Sequence, residues 1–338
     1  MASKKDNSDQ IIGAFDPIGV DAFSPSALEE RALARWQRIS ALAERLERAA
    51  VKELLDYLGD DHPFVRWEAG RALWHIAQRV MSRSRLGRAL RRGGDRDISF
   101  TQVLDLLAQQ LASPKAERRV AAADAFGLWS HDRATYLLTQ ALTDEQPMVR
   151  ASAATSLGRI GDRIAVPALI QCLDDPSLWV RRAAAEALGA IADPQALAKL
   201  GHMALEEEDL VAIAAISALG HLPYPRSRQI LVECTEHENP TRRWYAARSL
   251  GQMGDVSSLP ALRRLLPQQE TFFERSIGEV ARSAIETIER RERGLWNMLR
   301  KSFYTLYTGL SHIIYRFSIR SARRRKEAQD DNATARSS

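Results

Sequence analysis

The chain has 338 residues, 45% hydrophobic, 7% aromatic and 27% charged, with a net charge of +5. That composition is ordinary for a soluble protein and supports a continuous core built mostly from Ala and Leu. Two cysteines, Cys172 and Cys234, exclude a disulfide framework and fit a reducing compartment, so the expected location is the cytoplasm. Residues Met1 to Asp16 lack the apolar stretch of a secretory signal, and no segment has the length and polarity of a membrane span.

In chain order, residues 1–24 are expected to be a flexible arm and residues 25–50 a capping helix. From 51 to 290 the sequence repeats itself. Gly127, Gly158, Gly189, Gly220 and Gly251 stand 31 residues apart, each after a bulky apolar residue (Phe126, Leu157, Leu188, Leu219, Leu250). A fixed period of this kind is the signature of stacked supersecondary units. Each unit reads as two helices, the first apolar at helical spacing (Leu169, Ile170, Leu173), then an acidic turn such as Asp174-Asp175-Pro176, then a second helix toward Gly189. A glycine inside a helix costs about 1 kcal/mol relative to Ala, so its recurrence predicts close approach of a neighbouring helix. Trp74 takes that place in the first unit, which is expected to face the non-repeat capping helix.

A basic insertion, residues 79–100, separates the first unit from the second; its candidate roles are a solvated loop and a contact for an acidic or phosphate surface. A second register pairs an acid with an Arg six residues on: Asp60 with Arg66, Asp144 with Arg150, Asp175 with Arg181. Such pairs are expected to form a ladder between units. The seventh unit, near Val256 to Glu289, slips by a few residues.

The Asp-Pro turns, the second helices Val149 to Gly158 and Val180 to Gly189 (Val-Arg-x-x-Ala-Ala-x-x-Leu-Gly) and the period resemble the HEAT family in its short, phycobilisome-lyase-type form. The resemblance covers about residues 50 to 290. It implies an all-α fold: an α-solenoid of about seven helix pairs, an armadillo-like superhelix. It implies no single function, because such repeats serve unrelated tasks. HEAT-like hydroxylases hold iron through repeated His-Glu dipeptides. Only His237-Glu238 occurs here, in a turn, which argues against that activity. No cofactor and no metal are expected, and no catalytic residue is assigned.

In solenoids of this type the second helices line the concave face. Three positions four apart on each form a stripe that varies between units. It reads Trp67, Arg71, His75; Val120, Asp124, Leu128; Ala151, Thr155, Arg159; Arg182, Glu186, Ala190; Ile213, Ser217, His221; Trp244, Arg248, Gln252. Exposed Trp and Arg anchor interfaces. The expected partner-binding residues are therefore Trp67, Arg71, His75, Arg159, Arg182, His221, Trp244 and Arg248. A protein partner held by a non-catalytic scaffold is the leading reading. A chromophore-handling subunit of the bilin-lyase kind is the alternative. The near-neutral array argues against nucleic acid.

From Glu289 to Lys326 there are eleven Lys and Arg against two Glu, a net +9 that leaves the rest of the chain at −4. Within residues 291–326, Trp296, Leu299, Phe303, Leu306, Leu310, Ile313 and Phe317 recur at spacings of three and four, an apolar seam on one helix, followed by Arg323, Arg324 and Arg325. Three readings are open: the seam caps the last unit, lies in an anionic membrane interface, or pairs with a partner helix. Residues 327–338 are expected to be a disordered tail.

Overall fold

The computed structural model describes residues 30–87 and 98–294. The N-terminal arm, residues 88–97 of the basic insertion, the seam from Trp296 to Phe317, Arg323 to Arg325 and the last residues lie outside that range. Helix α1 (Glu30–Ala43) precedes seven helix pairs. They are α2 (Arg48–Tyr57) with α3 (Pro63–Gly87), α4 (Phe100–Leu111) with α5 (Ala116–Phe126), and α6 (Asp132–Ala141) with α7 (Pro147–Ile160). Next come α8 (Val166–Cys172) with α9 (Leu178–Ile191), α10 (Leu197–Glu206) with α11 (Asp209–His221), and α12 (Pro225–Cys234) with α13 (Pro240–Met253). The last is α14 (Leu259–Leu265) with α15 (277–294). The all-α solenoid read from the period is the fold, apart from two-residue strands, β1 (Thr271–Phe272) and β2 (Arg275–Ser276), that pair antiparallel.

Turn chemistry in the sequence starts these helices. Asp60, Asp144 and Asp175 each accept from the backbone N–H two residues on, at 2.9, 2.9 and 2.8 Å. Asp162 and Asp193 do the same between units. Proline follows at the first position of α7, α12 and α13, where its missing N–H costs nothing. The capping helix expected over 25–50 ends earlier, at Ala43, and Arg48–Tyr57 is already the first helix of unit one. Helix α1 packs on α3 as a second helix without its partner, and Arg79 closes its end by donating to the Ala43 carbonyl at 3.0 Å.

One core of buried side chains runs from Ala32 to Ile288, so no unit has an interior of its own. Successive second helices lie against one another along the array, whereas successive first helices touch sparsely. A stack closer on one side than the other curves toward the close side, which puts α3, α5, α7, α9, α11 and α13 on the concave face.

The glycine register is what permits that closeness. A Cβ at Gly158 or Gly189 would sit 2.7 or 2.6 Å from the Cα of Ala187 or Ala218 on the next second helix. The obstacle is backbone, which cannot step aside. In unit one the expectation is corrected: the close approach belongs to Gly70, whose Cβ would lie 3.0 Å from the Ala125 Cβ. Gly70 is one helical turn before Trp74, and the contact is to the following unit, not to the capping helix. At the far end Gly251 meets Ala284, 33 residues on, where Gly158 and Gly189 meet partners 29 on. The β1–β2 hairpin accounts for the slip.

The acid–arginine ladder forms in part: Arg119, Arg150 and Arg181 each grip their own turn and the next unit, whereas among the described residues Arg66 holds only the Asp60 and Asp61 carbonyls of its own turn. Arg150 donates to the Asp144 carbonyl of its own turn at 2.8 Å and to both oxygens of Asp175 in the next unit at 2.7 and 2.8 Å. Arg119 repeats this with Ser113 and Asp144. Arg35 of α1 approaches Asp60 at 3.4 Å, so the ladder begins in the cap. Bidentate geometry fixes register as well as adding energy. Unit five has Ala212 in the arginine's place. There Arg242 reaches back from unit six to the carbonyls of Leu205 and Glu207 and the carboxylate of Asp209.

Candidate functional site, a concave groove with an apolar rim

The stripe positions lie on the mutually packed second helices and are mostly half-buried. At the stripe's N-terminal end Trp67 is 42% exposed, stacks on Phe64, and carries the Arg71 guanidinium 5.2 Å above its ring. Arg71 also pairs with the buried Glu68 at 2.9 Å. His75 is pushed below the ordinary imidazole value, first by burial and then by Arg71, which keeps it neutral near pH 7.

In mid-groove Asp124 accepts from the Ser152 hydroxyl at 2.8 Å and faces Arg159 at 3.5 Å. Burial pushes its carboxyl up; Arg159 and Ser152 oppose that without cancelling it. Arg182 pairs with Glu186 at 2.8 Å. Each of these charges meets its opposite inside the groove, so the floor is polar but close to neutral. His221 and Arg248 are exposed, with Arg248 5.9 Å over the Trp244 ring.

Trp244 departs from expectation. It shares the register of Trp67 yet is only 6% exposed. The hairpin of unit seven folds over it: its indole N–H donates to the Arg275 carbonyl at 3.2 Å, and Phe273 and Tyr245 pack against the ring at 5.5 and 5.0 Å. Trp244 is thus a core residue at the closed end of the groove. The hairpin turn places both Phe273 and Glu274 at positive φ, 50° and 64°. A two-residue turn of this kind favours Gly and Asn, and here Phe273 is held instead by the aromatic contact.

Sequence reading missed a row just outside the stripe. Met148, Trp179 and Leu210 stand 31 apart at the second position of α7, α9 and α11, and all three are half or more exposed. Each lies three residues before a stripe position (Ala151, Arg182, Ile213), so the row extends the stripe by one turn to form the groove's rim. Phe273, 72% exposed, continues it beyond unit six. Among the described residues, three of the eight large exposed apolar side chains stand in this row, with Trp67 of the stripe and Phe273 of the hairpin beyond its two ends. The constant 31 spacing was the available signal, hidden because these positions look like turn residues.

Other features carry no chemistry. Burial raises the Cys172 and Cys234 thiols to about 11 and about 12, so both are protonated core residues. His237-Glu238 borders an open cleft of about 540 Å³ between units six and seven. There the His237 ring accepts from the Asn239 N–H, and its carbonyl accepts from Arg243, which makes it a turn residue. Among the described residues no three His, Cys, Asp or Glu side chains gather as metal ligands would. No described helix is long and apolar enough to cross a membrane.

With this geometry in place, comparison with known proteins is direct. The family model for HEAT repeats matches residues 104–178, 149–219 and 204–281, overlapping hits that cover more than half of the chain. The chain belongs to the HEAT-repeat family. No curated protein matches it significantly. Among solved structures, importin beta is similar over 78% of this HEAT-repeat chain and 40% of its own, at 14% identity and a TM-score of 0.54. The Escherichia coli protein YibA is similar over 79% of this chain and 100% of its own, at 20% identity and a TM-score of 0.47. The CpcE–CpcF complex of phycocyanin lyase from Nostoc aligns at 22% identity over 71% of this chain and 94% of its own, with a TM-score of 0.40. At these identities the likeness concerns the HEAT-repeat fold.

Proposed function

We propose that this HEAT-repeat chain is a scaffold that holds a protein partner in its concave groove and performs no chemistry of its own. The observation that carries the reading is the rim. Three consecutive units present a large apolar side chain at one register, exposed, beside stripe charges that pair with one another, Asp124 with Arg159 and Arg182 with Glu186. Large apolar side chains exposed at one register in successive units line up along one edge, and an aligned apolar edge of this kind supports an interaction surface. A near-neutral floor with an apolar edge favours an amphipathic peptide or helix over a polyanion.

The test is affinity capture from the native cell, comparing wild type with Trp179→Ala, Leu210→Ala and Tyr136→Ala. Tyr136 is equally exposed but sits on the first helix of unit three, on the outer layer. The expected result is one partner retained by wild type and Tyr136→Ala and reduced at least tenfold by either rim variant. Equal retention by all four proteins would remove the groove from the account.

A further inference from the structure

We infer that the rim of this groove is occupied by the chain's own basic C-terminal segment, folding back from residue 294. The inference deepens the reading of the groove as a peptide-binding surface and rests on it. Three observations meet here: charge, spacing and reach.

The turns beside Leu210, Trp179 and Met148 are acidic without a basic residue among them: Glu206 to Asp209, Asp174-Asp175, and Asp144-Glu145. Their eight carboxylates share five cations, Arg119, Arg150, Arg181, Lys199 and Arg242, and Glu206 and Glu208 hold no ion pair among the described residues. Residues 295–326 carry eight Lys and Arg and no acid. An apolar, acidic edge thus stands opposite an apolar, basic segment of the same chain.

The spacing also agrees. Phe303, Leu310 and Phe317 are seven apart. On a helix that is about 10.5 Å per step. Packed helices of neighbouring units lie about 8–10 Å apart, so a helix laid along the rim meets one unit per heptad.

Reach sets the register. Helix α15 reaches residue 294 beside the end of α13, where Arg291 donates to the carbonyls of Gln252 and Gly254. Phe273 lies at the other end of α15, about 27 Å away for its eighteen residues. The nine residues from 295 to 303, uncoiled, extend about 30 Å, enough to bring Phe303 to Phe273, so the helix laid on the rim starts at Phe303 and leaves Trp296 and Leu299 in the connecting stretch. Two heptads further, Phe317 falls at Leu210. The run Arg323 to Lys326 then falls at Trp179 and the Asp174-Asp175 turn, where an arginine finds both a ring face and carboxylates.

The experiment uses the full-length chain carrying Leu210→Cys and Phe317→Cys, treated with a short bis-maleimide, with Tyr136→Cys and Phe317→Cys as the control. The native thiols are buried and remain in place. The expected result is an intrachain crosslink at least fivefold above the control, unchanged on hundredfold dilution. It should fall when Arg316 and Arg320, which flank Phe317, are changed to Glu, and recover when Glu206 and Glu208 beside Leu210 are changed to Lys in that background. A yield equal to the control overturns the inference, as does a link only between chains that vanishes on dilution. So does loss of the link with flotation on phosphatidylserine vesicles, which would place the seam in a membrane. The crosslink needs no partner, so its failure is distinguishable from failure of the scaffold reading.

Discussion

Trp67 and Trp244 occupy one register at opposite ends of the groove, yet one is open to solvent and the other is core. The difference lies in the unit that follows. After unit six the tight acidic turn is replaced by a hairpin whose Phe273 and Arg275 backbone close over Trp244. One unit earlier the arginine ladder is rerouted through Arg242, and at this end the glycine contact slips by four residues. The middle of the solenoid is periodic and open; its C-terminal end is irregular and sealed. Register in a repeat protein thus fixes where a side chain points, and the neighbouring turn decides whether anything covers it.

The comparison breaks first at Trp244. Trp244→Ala removes a buried indole and its hydrogen bond, and is expected to cost about 3 kcal/mol, read as a shifted urea midpoint. Trp67→Ala is expected to stay within about 0.5 kcal/mol. Equal costs would mean that the two ends are alike.

In the periodic region, Arg150→Ala is expected to cost about 2 kcal/mol by leaving Asp175 half-buried and unpaired. Its pH dependence follows from the Asp175 carboxyl. Burial raises it, but Arg150 and the Ser177 N–H more than offset this and hold it below its usual value. A depressed folded value contributes stability that is complete above the ordinary carboxylate range and lost as pH falls through the folded value. Wild type should therefore lose stability below about pH 4, and Arg150→Ala should lose less over the same range, as measured by denaturant titration at each pH.

Gly189→Ala tests the packing beneath the groove. Gain in helix propensity of about 1 kcal/mol opposes a clash with the Ala218 backbone. The clash is expected to win by about 1–2 kcal/mol, whereas the same change at Gly161, a helix end with open space around it, acts only through its φ of 75°.

The smallest effects sharpen the sealed end. Glu274 is exposed at φ 64°, so Glu274→Gly is expected to raise stability by about 1 kcal/mol. Phe273→Gly relieves similar strain but loses the contact with Trp244, and its net change should be near zero or negative. Thermal melts of the two variants separate strain from packing.

How far the sequence could be read follows from the same contrast. The period and the helix pairs were legible, because a glycine or an Asp-Arg pair recurring every 31 residues reports backbone geometry shared by the units. Gly70 stands one turn off the glycine register, which runs through Trp74, and a close contact needs only a small residue within one turn. The burial of Trp244 was not legible, since Thr271 to Ser276 carries no Asn-Gly or Gly turn signal and Phe273 and Glu274 adopt positive φ through tertiary contact. Met148, Trp179 and Leu210 stood in plain view at the correct spacing, but exposure depends on the neighbouring units and not on the residue itself.

The claim that the inside of this curve is the working surface is tested most directly by photo-crosslinking in the native cell. A photoreactive amino acid would replace Trp179 in one strain and Tyr136 in another. The account predicts, from position 179, adducts to one specific protein and to the chain's own residues 323–326, and neither from position 136. Adducts to the same protein from both positions, or from position 136 alone, would contradict it.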